Sequence, residues 1–277
     1  MVNNIHLVTF AEGISVNTGK EYAVTQRLLN ESIKNKTKYN IIFHNHNLET
    51  IKQKNWFEYI ENFPKFNLNE HFPHSYQYKY WHRNGYFNAW KPFLIKEVYD
   101  SMADNDLLYY VDSSAYHQFG FEYDIDSLID YAFENKHVCG SFGFDVLNNS
   151  YNCCDNESVW NFIWPESISN IKELLNKPHI LNSWFLFAKS NESESFINEW
   201  NHLVKSEINN LPIVSYHHTV DQSIFNILVY KYGFKSFCNN RQHDENKNHN
   251  LVHFELNQKS KDEIVKSFIN PLNFNVC

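Results

Sequence analysis

The 277-residue chain has a formal net charge of -8 and a pI near 6.0, with its Lys and Arg scattered along it, which excludes a phosphate-backbone surface and hence nucleic acid as a partner. Its length admits one large core, and 43% hydrophobic with 17% aromatic content excludes disorder for the bulk of it. Cys139, Cys153, Cys154, Cys238 and Cys277 make no CxxC or comparable spacing; with no basic-then-apolar leader and no run of about 18 apolar residues, the expectation is a cytoplasmic protein with reduced thiols and no transmembrane segment.

In chain order, residues 5–11 are an apolar run rich in strand-formers, followed by turn residues. The stripe of Tyr22, Ala23, Gln26, Leu29 and Ile33 then predicts a helix, with Lys34, Lys36 and Lys38 at the end where cations suit its dipole. Residues 39–44 read as a second strand, so the chain opens as a parallel unit with a crossover helix. Residues 52–87 are irregular and dense in aromatic residues interleaved with His71, His74, His82 and Arg83, a composition able to stack a base or sugar ring and equally able to cover a core. Pro92 suits the first turn of a helix, and Leu94, Ile95, Val98, Tyr99 and Met102 continue it at helical spacing.

The apolar run 107–111, bounded by acidic and polar residues, predicts a strand buried on both faces and ending at Asp112. Beyond it the spacing predicts a helix from Asp126, a strand over 137–144, short helices over 158–164 and 168–175, a strand over 180–188, a helix over 193–208 and a last helix from Asp221 that stops at Gly233; residues 241–249 read as a loop or tail. Alternating strands and helices with no repeat and no linker define a single domain, residues 1–277, with a mostly parallel sheet flanked by helices.

In such a sheet, ligands bind outside the C-terminal ends of the strands. A carboxylate there, Asp112, followed by Ser113 and Ser114, is a candidate to hold a divalent cation against a phosphate, since hard cations take oxygen ligands and share them with substrate phosphates; capping the following turn is the other reading of Asp112. Likewise Asp221-Gln222-Ser223 before an apolar helical run reads as an N-cap or as a functional carboxylate.

Three blocks resemble the nucleotide-sugar-dependent glycosyltransferases of the GT-A fold. Gly85-Tyr86-Phe87-Asn88-Ala89-Trp90-Lys91-Pro92 leading to Asp106-Leu107-Leu108-Tyr109-Tyr110-Val111-Asp112 is similar to a tryptophan-lysine-proline, then D-x-L-Y-x-D run of a viral and bacterial branch. Asn182-Ser183-Trp184-Phe185-Leu186-Phe187, followed by a helix containing Glu199-Trp200, is similar to its acceptor-side strand and helix. His217-His218-Thr219-Val220-Asp221-Gln222-Ser223-Ile224-Phe225 is similar to its H-D-Q-S-I-F helix start. Together the blocks span roughly residues 85 to 234.

The resemblance implies a Rossmann-like sheet, with residues 1–120 as the donor-binding half and 121–277 as the acceptor half and tail. It implies a glycosyltransferase moving sugar from a nucleoside diphosphate donor, most naturally a UDP-sugar, to a glycan or glycosylated-protein acceptor, assisted by Mn2+ or Mg2+. Donor contacts are then expected from Thr9, Phe10, Ala11, Arg83, Trp90, Lys91, Asp112 and Ser114, and acceptor contacts from Asn182, Ser183, Trp184 and Gln222. Asp221, with Asp145 second, is the expected catalytic base. Because Asp112-Ser113-Ser114 lacks the family's second Asp, the cation would rest on Asp112, water or Ser114, the diphosphate and a late histidine, His249 or His253, with His243 a third candidate. The same departure leaves open a non-catalytic sugar- or nucleotide-binding assembly protein on this fold.

Overall fold

The computed structural model of the protein describes residues 4–13, 21–34, 37–61, 89–113, 125–141, 157–175, 180–207, 220–234, 236–238 and 268–269. Its described strands, β1 (Asn4–Phe10), β2 (Asn40–His46), β3 (Leu107–Val111), β4 (His137–Ser141), β5 (Ile180–Ala188), β6 (Ser236–Cys238) and β7 (Phe268–Ile269), form one sheet in the order β2-β1-β3-β5-β4-β6-β7. β1 is parallel to both β2 and β3, and β4 is parallel to β6; β5 runs antiparallel between β3 and β4, and β7 is antiparallel to β6. Five strands therefore share a direction and two oppose it. The C-terminal ends of β1, β3 and β4 and the N-terminal end of β5 lie at one edge of the sheet.

The alternation of side chains along each strand divides the core into two layers. Leu107, Tyr109 and Val111 of β3, with Ile5, Leu7, Trp184 and Leu186, pack under α1 (Tyr22–Lys34) and α5 (Ile125–Asn135), whereas the short helices after β2, α2 (Leu48–Lys52) and α3 (Phe57–Glu61), bury Ile51, Phe57 and Ile60 in the other layer. On the opposite face, Val8, Leu108, Tyr110, Phe185 and Phe187 meet α4 (Trp90–Ser101), α6 (Glu157–Ile163), α7 (Ile171–Leu175), α8 (Asn191–His202) and α9 (Val220–Tyr232). All five residues of β3 are buried, as its unbroken apolar run requires.

Phe185, Phe196, Trp200 and Phe225 form a continuous set of tilted and edge-to-face contacts with centroids 5.0–6.2 Å apart, fixing α8 and α9 on β5. α8 starts at Ser190, whose side chain accepts from the Ser193 amide, and after His202 it loosens into a π-helical turn, Leu203–Glu207, where the sequence predicts one continuous helix. α9 ends in a Schellman arrangement: Gly233 at φ 65° donates to Tyr230 O, and Phe234 donates to Val229 O. The expected helix over 168–175 is a 3-10 turn, Pro165–Asn170, followed by α7, because Pro165 starts the segment one turn early. The aromatic stretch 62–88 lies outside the described residues.

Candidate active site

α4 presents its first turn to the sheet edge where β1 and β3 end. Pro92 is its third residue, a position where its lack of an N–H leaves no intrahelical bond unmade, so a buried helix can begin here with Trp90 and Lys91 pointing at the strands. Trp90 stacks on Phe10 at the end of β1 (4.1 Å, 29°), which ties the helix start to the sheet. Lys91 is only 3% exposed, an unusual place for an ammonium group, and its surroundings explain it. Its Nζ donates to Asn182 O at 3.1 Å, lies 3.5 Å from both Asp112 Oδ1 and Asp221 Oδ2, and sits 4.8 Å from the centre of the Tyr110 ring. One buried cation thus joins the end of β3, the start of β5 and the start of α9.

Asp112 follows β3 directly; its amide donates to Ser183 O at 2.8 Å, and its Oδ1 accepts from the Tyr110 hydroxyl at 2.6 Å. Its side chain is 35% exposed, so the carboxylate is open on one side. Asp221 is the reverse case. It lies in the first turn of α9, 1% exposed, and its Oδ2 accepts from Asn182 Nδ2. Oδ1 is buried with no hydrogen-bond partner among the described residues. Burial pushes its carboxyl up to about 6, Asp112 adding to the rise while Lys91, the Asn182 amide and the Gln222 backbone N–H oppose it. A capping role does not account for the Lys91 and Asn182 contacts, which come from α4 and β5.

Gln222 and Asn226, on the following turns of α9, act on backbone. The Gln222 amide accepts from Asn182 N (3.1 Å) and donates to Ile180 O, and Asn226 Oδ1 accepts from Ile180 N (2.7 Å). These side chains satisfy the first residues of β5, which extend past the paired part of β3. Gln222 is therefore a residue that places Asn182. Trp184, expected on the acceptor side, is 3% exposed in the core layer under α5.

At the end of β1, Thr9 is buried with its hydroxyl unpartnered among the described residues, Phe10 is half-buried on Trp90, and the Ala11 amide donates to His46 O at 2.9 Å. The structure thus brings together Phe10, Trp90, Lys91, Asp112, Asn182, Ser183, Gln222 and Asp221. Arg83, Ser114, Asp145, His243, His249 and His253 lie outside the described residues. Among the described residues no three His, Cys, Asp or Glu side chains are grouped to hold a metal ion. The carboxylate of Asp112, open on one side, offers the kind of oxygen donor that a hard cation takes. Two participants were missed by sequence reasoning, Tyr110 and Asn226. Tyr110 carried a signal, since a residue two before Asp112 on a strand shares its face.

Compared with protein-family models, curated proteins and solved structures, the chain matches none. Among the described residues no helix is long and apolar enough to cross a membrane.

Proposed function

We propose that the protein is a GT-A-type glycosyltransferase that binds a nucleoside diphosphate sugar, a UDP-sugar first, at the Asp112 edge of the sheet and transfers the sugar to a glycan or glycosylated-protein acceptor near Asp221. The observation that carries this reading is the buried Lys91 ammonium held between an open carboxylate at a strand end and a closed one at a helix start, only one oxygen of which lacks a hydrogen-bond partner among the described residues. Parallel β1, β2 and β3, with Asp112 at the C-terminal end of β3, support the Rossmann-like nucleotide-binding half.

In this mechanism Asp112 would hold Mn2+ or Mg2+, which would supply electrostatic stabilisation of the negative charge on the leaving diphosphate. Lys91 adds a fixed positive charge that needs no reorganisation in a site of low dielectric. Asp221 receives the acceptor hydroxyl proton on its carboxylate, whose Oδ1 has no hydrogen-bond partner among the described residues. With its carboxyl at about 6, roughly nine-tenths of it is ionised at neutral pH and so ready to take a proton. Asn182 holds the other oxygen and fixes the orientation.

The test is calorimetric titration with UDP-, GDP- and TDP-sugars in the presence of Mn2+, and thermal unfolding with and without UDP and Mn2+. A native-state ligand at 100 times its Kd adds about 2.7 kcal/mol and raises the melting temperature measurably. Absence of binding to all three nucleotides would overturn the donor reading. Binding without transfer to any screened acceptor would instead favour the assembly-protein reading.

A further inference from the structure

We propose that Tyr110 is a positioning residue for the donor site: its hydroxyl fixes the Asp112 carboxylate so that Oδ2 alone faces an incoming cation and diphosphate, while its ring seats the Lys91 ammonium. The inference rests on the donor-binding reading above and adds a residue that reading does not use.

The geometry is specific. The Tyr110 hydroxyl and Lys91 Nζ both address the same oxygen, Asp112 Oδ1, at 2.6 and 3.5 Å. No described group bonds Oδ2, and the side chain is open to the outside over about a third of its surface, as its 35% exposure records. A hydroxyl-to-carboxylate bond of this length is in the charge-assisted range, where donors hold geometry as well as energy. Tyr110 is itself 1% exposed, so its hydroxyl has no bulk water to turn to. Its ring is stacked on Phe185 (5.2 Å, 20°), its cross-strand partner, which prevents the phenol from swinging away. Because Tyr110 and Asp112 share a face of the strand, the bond is local and survives small movements of α4. The ring also lies 4.8 Å from Lys91 Nζ, close enough for a cation–π attraction that favours keeping the ammonium where both carboxylates reach it. Groups that orient a ligating side chain from behind typically change metal affinity 10- to 100-fold when removed.

The experiment measures binding of Mn2+ with UDP, by calorimetry and by the Mn2+ paramagnetic-resonance signal, for wild type, Tyr110→Phe, Tyr109→Phe, Asp112→Asn and the Tyr110→Phe/Asp112→Asn double variant. Tyr109 is the matched control, a buried tyrosine one residue away on the other face of the sheet. Tyr110→Phe keeps ring and packing, and each variant's melting curve reports whether its fold is intact. The expected result is binding weakened about tenfold or more in Tyr110→Phe, unchanged binding in Tyr109→Phe, and no further loss when Tyr110→Phe is added to Asp112→Asn, because the hydroxyl acts through that carboxylate. Wild-type affinity in Tyr110→Phe overturns the inference and leaves the donor reading standing. An equal loss in the presence and absence of the Asp112 carboxylate also overturns it, since that is the mark of a packing effect. Failure of the wild type to bind UDP and Mn2+ overturns the donor reading itself and the inference with it.

Discussion

Replacing Asp221 with Asn tests whether a destabilising charge is buried at the site. Asp221 is buried, and its carboxyl is pushed up from 3.8 to about 6 mainly by burial. Between those two pH values the folded state holds a proton that the unfolded chain has released, so stability falls as pH rises through the window. At about 1.4 kcal/mol per pH unit, the loss amounts to about 3 kcal/mol by neutral pH. Asp221→Asn cannot ionise and escapes that loss, while Lys91 still has Asp112 and Asn182 O as partners. The variant should therefore gain on the wild type as pH rises from 4 to 7, by up to about 3 kcal/mol. Urea unfolding of both proteins across that range reads the difference directly, and contributions from other titrating groups cancel in the comparison. Parallel pH profiles for the two proteins would refute the argument, because they would mean the Asp221 carboxylate is comfortable in the fold. On the proposed function, the same variant should bind donor almost normally while losing about 10²- to 10⁴-fold in transfer.

Asp112→Ala should lose metal-dependent donor binding and transfer together, measured by titration and a sugar-transfer assay; retained metal-dependent binding would place the cation elsewhere. Gln222→Ala should leave the Asn182 amide and Ile180 carbonyl without their partners, costing about 1–3 kcal/mol and speeding exchange of the Asn182 amide, read by hydrogen exchange. His44 is held to about 4 by burial, with His6 and His46 beside it, and its Nε2 is 2.9 Å from His6 Nδ1, whose ring partner is Asp106. Its folded value is depressed while the unfolded chain titrates near 6.5, so stability is lost as pH falls from about 6.5 towards 4. His44→Gln should flatten that acid limb in the same urea experiment.

Much of the frame was readable in advance because it rests on local pattern. The run Leu107 to Val111 declared a fully buried strand, Pro92 declared a helix start, and Gly233 declared a stop, each through a constraint that a single stretch of chain carries. The direction of β5 was not readable, since a strand buried on both faces has the same composition whichever way it runs. The same limit hid the bonds of Gln222 to the start of β5, where its amide accepts from Asn182 N and donates to Ile180 O. Lys91, Asp112, Asn182 and Asp221 are each candidates by sequence, yet nothing in their separate spacings shows that the Lys91 ammonium holds the other three together. The His6–His44–Asp106 chain leaves no local sequence signal because its members are up to 100 positions apart and meet only through sheet register.

The central place of β5 also governs how the protein can be made. It is the only described strand that joins β2-β1-β3 to β4-β6, so the sheet consists of two disconnected pieces until residue 188 has been synthesised. During translation at ~5–20 residues per second, the interval between completion of β3 and completion of β5 is on the order of ten seconds. Throughout it, one edge of an entirely apolar strand stands unpaired, the kind of edge that recruits other chains. Nascent chains of this protein should therefore depend on holdase chaperones over that interval, and a fragment ending near residue 120 should aggregate where the full chain folds.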